Sequence, residues 1–452
     1  MKSRCITGLW IVGSLALGTC NFAGAAIYTV GPAGTHPGLQ AALNAAAANP
    51  ANDEVRAQAI DFTGPISVQV NAATGSLVLS GGWNAGFSAQ IAGGLDPIAT
   101  VVNANELASN LRVQATAGVL EISAMRLVFG QGSDTNTGGN LTANVGGNAS
   151  VRFTDVHFNQ GRASNLGAGG FATVFGSGAL HLVACSFANN RVDAVSGSTF
   201  GAGLAVAAFD SARVELDQVS IFGNESLGAI QNLGAGLSIL ARNGSLVRIA
   251  DLELASNYST ASGSSSALSI AASESALIDL QRIRASSNSA TALNSSQIAI
   301  DNRDLATTYL SDSVIADSNL IAHLTITQGS GGSVRLNNLT VIRNRTPGQL
   351  FEAAGSPITM HNSIVHGNGA ATLAVSGGNN LGSNLGLAAP VFAGPSDYRL
   401  GENSPGIDAG SAAIPGGLGA LDVDRNPRVI GSSVDIGAAE FIPDTLFVSG
   451  FE

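Results

Sequence analysis

Apolar and polar positions alternate along most of the chain in one recurring figure. An apolar pair flanks one residue, two positions follow, and a second apolar pair flanks another residue. The clearest copy is Val334-Arg-Leu336-Asn-Asn-Leu339-Thr-Val341, with Asn344 ten residues after the first apolar position. Other copies start at Leu120, Val151, Leu180, Val214, Val247, Ile278, Tyr309 and Ile358. With Val334 included, successive starts lie 31, 29, 34, 33, 31, 31, 25 and 24 residues apart. At offset ten stand Gly130, Gly161, Asn190, Asn224, Asn257, Asn288, Asn319, Asn344 and Asn368. Seven Asn in nine copies is a repeat, not chance.

Period-two alternation within each half predicts a strand whose apolar residues face inward. The extra residue between halves marks a corner. Another short strand precedes each copy, as in Gly203-Leu-Ala-Val206 and Gly236-Leu-Ser-Ile239, after a repeated Gly-Ala-Gly at 167–169, 201–203 and 234–236. Three short strands and three turns make one coil, and stacked coils set equivalent residues about 4.8 Å apart. The offset-ten residues Asn190, Asn224, Asn257, Asn288, Asn319, Asn344 and Asn368 are then expected to bond to one another as an internal ladder.

This pattern resembles the right-handed parallel β-helix proteins of the pectate-lyase-like superfamily, over roughly residues 60 to 370. The expected fold class is all-β, a single-stranded right-handed parallel β-helix or solenoid with a short N-terminal capping helix. Pro37–Ala48 is a strong helix former placed to cover the first coil, and Ser76–Phe87 resembles the opening coil of secreted bacterial β-helices. Cys185 takes an inward offset in line with Val156 and Val219, so a core thiol is expected.

Lys2 and Arg4, an apolar run from Ile6 to Gly18, and Ala23-Gly24-Ala25-Ala26 have the layout of a secretory signal peptide. The expected segments are a leader at 1–25, a cap at 26–59, the β-helix at 60–370, a C-terminal region at 371–443 and a tail at 444–452. Cleavage would leave no lysine and a single Cys, so disulfides are not expected to hold the chain together. Charged residues make up 11% of the sequence and the net charge is −11, against about 25% in an ordinary chain. That balance argues against a nucleic-acid partner. No further apolar run is long enough for a transmembrane segment in the mature chain.

After Asn368 the repeat gives way to Ser404-Pro-Gly-Ile-Asp408-Ala-Gly410, Asp422-Val-Asp424-Arg-Asn-Pro-Arg428 and Asp435-Ile-Gly-Ala-Ala-Glu440. This order resembles the choice-of-anchor Q region at the end of secreted bacterial β-helix proteins, with Arg425 where that pattern has Gly. The resemblance implies a surface-attachment or export role. Asp422, Asp424 and Asn426 have the one-three-five spacing of a calcium loop, but Pro427 replaces the needed Gly. Turn-capping carboxylates are the expected role there, calcium the alternative, and no other cofactor is expected.

Enzymes of the resembled superfamily use calcium-bridging carboxylates with a basic residue, or clustered aspartates as acid and base. The nearest cluster here is Asp217, Asp251, Asp279, Arg248 and Arg282, with Glu215, on three adjacent coils. Outward positions also set opposite charges in sequence: Glu121–Arg152, Glu215–Arg248–Asp279 and Glu253–Arg284. Register-setting charge ladders are the expected role. Histidines are scattered, and no glycine motif opens a helix as a nucleotide site would require. The reading is an exported bacterial β-helix, non-catalytic, binding carbohydrate or another cell-surface component at the extracellular surface. The alternative is a polysaccharide lyase or glycoside hydrolase of the same fold.

Overall fold

The computed structural model describes residues 24–443 except 73–74, 97, 134–136, 195–196, 229, 261–264, 292–294, 321, 330, 345–350, 355–358 and 370–374. The tail at 444–452, and the leader at 1–25 save its last two residues, lie outside the described residues.

Every strand pairing between coils is parallel, and the chain winds as a single-stranded right-handed β-helix, the hand that parallel strands joined by a crossover adopt. A nineteen-strand sheet takes both halves of the repeated figure. Ten strands before it form a second sheet, and six short strands after it a third. Leu120, Val151, Leu180, Val214, Val247, Ile278, Thr308 and Val334 are successive register partners. The copy assigned to Tyr309 therefore begins one residue earlier. Thr308 takes the inward place because its buried hydroxyl donates to Asn302 Oδ1 at 2.9 Å. Apolar pattern alone misses a threonine in that role.

The corner between the halves has one conformation in coil after coil. Ala124, Asp155, Ala184, Gln218, Asp251, Arg282, Asp312, Asn338 and Asn362 all lie at φ between +49° and +56°. Left-handed backbone at a residue with a Cβ is strained. Stacking over-determines it here, because both flanking strands are already fixed by their neighbours.

Inside, the apolar rows are continuous. Phe158 and Phe187, both fully buried, stack at 4.6 Å between ring centroids. Cys185 is buried beside them, and burial pushes its thiol up to about 12.

The corrected register also resolves the ladder. Asn190 Nδ2 donates to Asn224 Oδ1 at 2.9 Å, Asn224 to Asn257 at 2.9 Å and Asn257 to Asn288 at 3.0 Å. Ser318 fills the next rung and donates to Asn344, which bonds Asn368. Asn319, expected in the ladder, is exposed instead, because starting one residue early moves it past the corner. Asn368 then donates to Asn384 at 3.2 Å, one coil beyond the expected end. Where Gly130 and Gly161 lack side chains, Asn140 enters from the second sheet's side of the coil. It accepts from Asn110 and donates to Asn190, each at 3.2 Å.

The stack is closed at its start by the helix Leu39–Ala48, which turns Leu39, Ala42, Leu43 and Ala46 inward. Gln40 fixes it by a reciprocal pair of bonds to the Ser67 backbone, 2.7 and 3.0 Å. Parallel pairing begins already at Ile27–Val30 against Asp53–Gln58, so the expected cap region includes sheet. After Gly386 the C-terminal segment leaves the coil and folds back over the long sheet. Its Leu400, Val423, Ile436 and Ala438 form a second core with Val314, Ile342 and Ile364.

Candidate functional site

On the outer face of the long sheet, one column runs Arg126, His157, Ser186, Ser220, Glu253, Arg284, Val314, Thr340 and Ile364 in register. Segments of the chain lie over both ends of this column. At the early end, residues 84–96 fold across it. Arg126 donates to the Gly94 carbonyl at 3.3 Å and the Asp96 carbonyl at 2.9 Å. At the late end, the C-terminal segment covers Val314 and Thr340, whose hydroxyl accepts from Ala438 N at 2.9 Å. Between the two lies an open strip in which Ser220 is half-buried while Glu253 and Phe222 are exposed.

The sequence-derived acid and base candidates surround this strip, but most already have partners. Asp251 and Arg282, at successive corners, form a two-pronged ion pair of 2.8 and 3.0 Å. Arg425 of the C-terminal segment reaches the same carboxylate at 3.1 Å. Burial pushes the Asp251 carboxyl up, yet the two arginines outweigh it and hold it below the usual range. Asp279 accepts from Gln281 Nε2 at 3.2 Å on both oxygens. Arg248 stands in register between Glu215 and Asp279, as the sequence implied, and is exposed. Asp217 is half-buried in the neighbouring column, alongside Ala250. These five residues share a face of the sheet but occupy three different columns.

The sequence reading paired Arg284 with Glu253. Although the two are in register, Arg284 forms its ion pair with Asp424 at 2.7 Å, and Asp424 also accepts from the Tyr398 hydroxyl. A partner from the C-terminal segment could not be read from coil spacing.

The one-three-five carboxylates Asp422 and Asp424 are turned toward protein donors, and Asn426 itself donates to Asp422. Buried Asp422 accepts from the backbone of Asp424, Asn426 and Glu440 at 2.8–2.9 Å. Its carboxylate caps the turn, and Asp424 faces Arg284 instead. Among the described residues no group of three or more His, Cys, Asp or Glu could hold a metal ion.

Sequence reasoning missed a buried charge cluster beneath the same segment. Arg428, 1% exposed, lies 3.2 Å from Asp312 and 2.9 Å from Glu440, both equally enclosed. Burial pushes Asp312 and Asp435 up despite Arg428, and lifts Glu440 to about 8. A cleft of about 670 Å³ opens beside it, walled by Phe392, Phe441, Arg399, Glu402, Asp424 and Glu440. Two of its three carboxylates, Asp424 and Glu440, are held by arginines.

No family model matches the chain. No curated protein is similar to it in sequence. Among solved structures it is similar to the crystal structure of pectate lyase Pel9A, at 11% identity and a TM-score of 0.42 over 92% of this chain and 96% of that one.

Proposed function

We propose that this chain is an exported bacterial β-helix that works as a surface or extracellular interaction protein, rather than a lyase or glycosidase. The observation that carries the reading is the Asp251–Arg282–Arg425 contact. The best acid and base candidates neutralise each other and clamp the C-terminal segment, so the Asp251 carboxylate is engaged by two arginines rather than free to act on a glycosidic bond. The open strip of Ser220, Phe222 and Glu253 offers an aromatic ring and polar groups to a carbohydrate or other cell-surface component. The leader-like N-terminus supports export, and the region 371–443, with its choice-of-anchor Q resemblance, supports attachment near the tail.

A glycan array probed with the full chain tests this. Retention on a defined subset of glycans, lost in Phe222→Ala, is expected. Retention that Phe222→Ala leaves unchanged would move binding away from the strip, and retention on none would overturn carbohydrate recognition.

A further inference from the structure

Two adjacent coils bring an aspartate, a histidine and a serine into one hydrogen-bonded chain beside segment 84–96. His157 Nε2 lies 2.8 Å from Asp155 Oδ1, and His157 Nδ1 lies 2.7 Å from Ser186 Oγ. The second Asp155 oxygen accepts from Gly94 N at 2.8 Å, which fixes the carboxylate. A carboxylate beside Nε2 keeps the ring proton there, so Nδ1 offers its lone pair and the Ser186 hydroxyl donates to it. Burial lowers the His157 pKa, assisted by the Arg126 charge, and outweighs the bond and charge of Asp155. The ring is therefore neutral at neutral pH, with Nδ1 unprotonated.

The contact is not needed to anchor the covering segment. Arg126 holds Gly94 and Asp96, and Asp155 holds Gly94, without Ser186. Ser186 sits on the outward column, keeps 7% of its surface open, and is followed by half-buried Ser220 as its register partner. A hydroxyl this enclosed suits a short acyl group rather than a sugar ring.

We propose that Ser186 is a nucleophile activated by His157 and oriented through Asp155, and that this site hydrolyses short-chain carboxylic esters. Ser186 Oγ adds to the ester carbonyl carbon as its proton passes to His157 Nδ1. The carbon–alkoxy bond breaks, and the alcohol leaves with that proton. Water, deprotonated by the same nitrogen, then releases the carboxylic acid and restores the hydroxyl. No oxidant or metal enters, and glycosidic bonds are untouched. This activity goes beyond the binding role and does not depend on it.

The test is to treat the full chain with a fluorophosphonate and locate the adduct by mass spectrometry, alongside hydrolysis of p-nitrophenyl acetate. An adduct on Ser186 in the folded chain, absent after heat unfolding, is expected. Hydrolysis should fall on the order of a hundredfold or more in His157→Gln, and persist below the pH 6.5 of an ordinary histidine. Ser186→Ala should abolish both signals while keeping the wild-type circular dichroism and melting curve. No adduct, an adduct elsewhere, or hydrolysis unchanged in Ser186→Ala would overturn the assignment. Because the wild-type adduct needs no variant to fold, the result stands even if a substitution destabilises the coil.

Discussion

A single rung of the ladder shows how much one side chain can do in a stacked coil. Asn257 accepts from both the backbone and the amide of Asn224, and donates to Ile221 O and Asn288 Oδ1. Asn257→Ala removes one hydrogen bond from each of four buried groups, two of which keep another partner, so a loss of about 3 kcal/mol is expected in denaturant unfolding. Asn319→Ala, at an exposed position, should stay within about 0.5 kcal/mol. Equal losses at the two sites would contradict the register set by Thr308. Cys185 gives a second check, since a thiol buried and pushed up to about 12 is mostly un-ionised at pH 8. It should resist a maleimide in the folded chain and react only on unfolding.

Among the elements, the C-terminal segment is the one that titration should loosen. Asp312, Asp435 and Glu440 all face Arg428, with Asp435 and Asp422 beside Glu440, Asp408 beside Asp435 and Arg282 behind Asp312. Their folded pKa values are raised, so docking takes up protons. For Glu440, the stabilisation is full below its ordinary 4.5 and is lost as pH rises toward about 8. Asp251, held below its ordinary range, acts oppositely and loses its contribution as pH falls through that lowered value. Proteolysis of the segment should therefore accelerate as pH rises from about 5 to about 8 and level off above that, and Glu440→Gln should flatten that rise. Arg428→Met leaves buried carboxylates without their cation and should cost about 3–5 kcal/mol at neutral pH. Chelation with EDTA should leave melting unchanged, because Asp422 already caps its own turn.

Across the whole molecule, stability is a sum of coil-to-coil contacts along one continuous core. That scale was the most legible in the sequence. The figure around Val334 repeats because each coil must bury the same inward row, and the rungs from Asn190 to Asn288 follow from it. Legibility ended where a residue's partner lies outside the repeat. Thr308 hid a coil start behind a hydroxyl, and Asn140 replaced rungs that Gly130 and Gly161 cannot supply. The candidate site was legible only in its residue types. Asp251 and Arg282 were correctly set on neighbouring coils, but Arg425 is far away in sequence and no period announces it. His157, read as scattered, meets Ser186 through register alone.

The most direct test of the interaction role is depolymerisation of acidic and neutral polysaccharides by the full chain, with and without calcium, followed by viscosity and new reducing ends. Binding with no fall in viscosity and no new ends is expected. Chain cleavage that disappears in Asp251→Ala or Asp279→Ala, with folding intact, would contradict the account and make the open strip the site of a lyase or hydrolase.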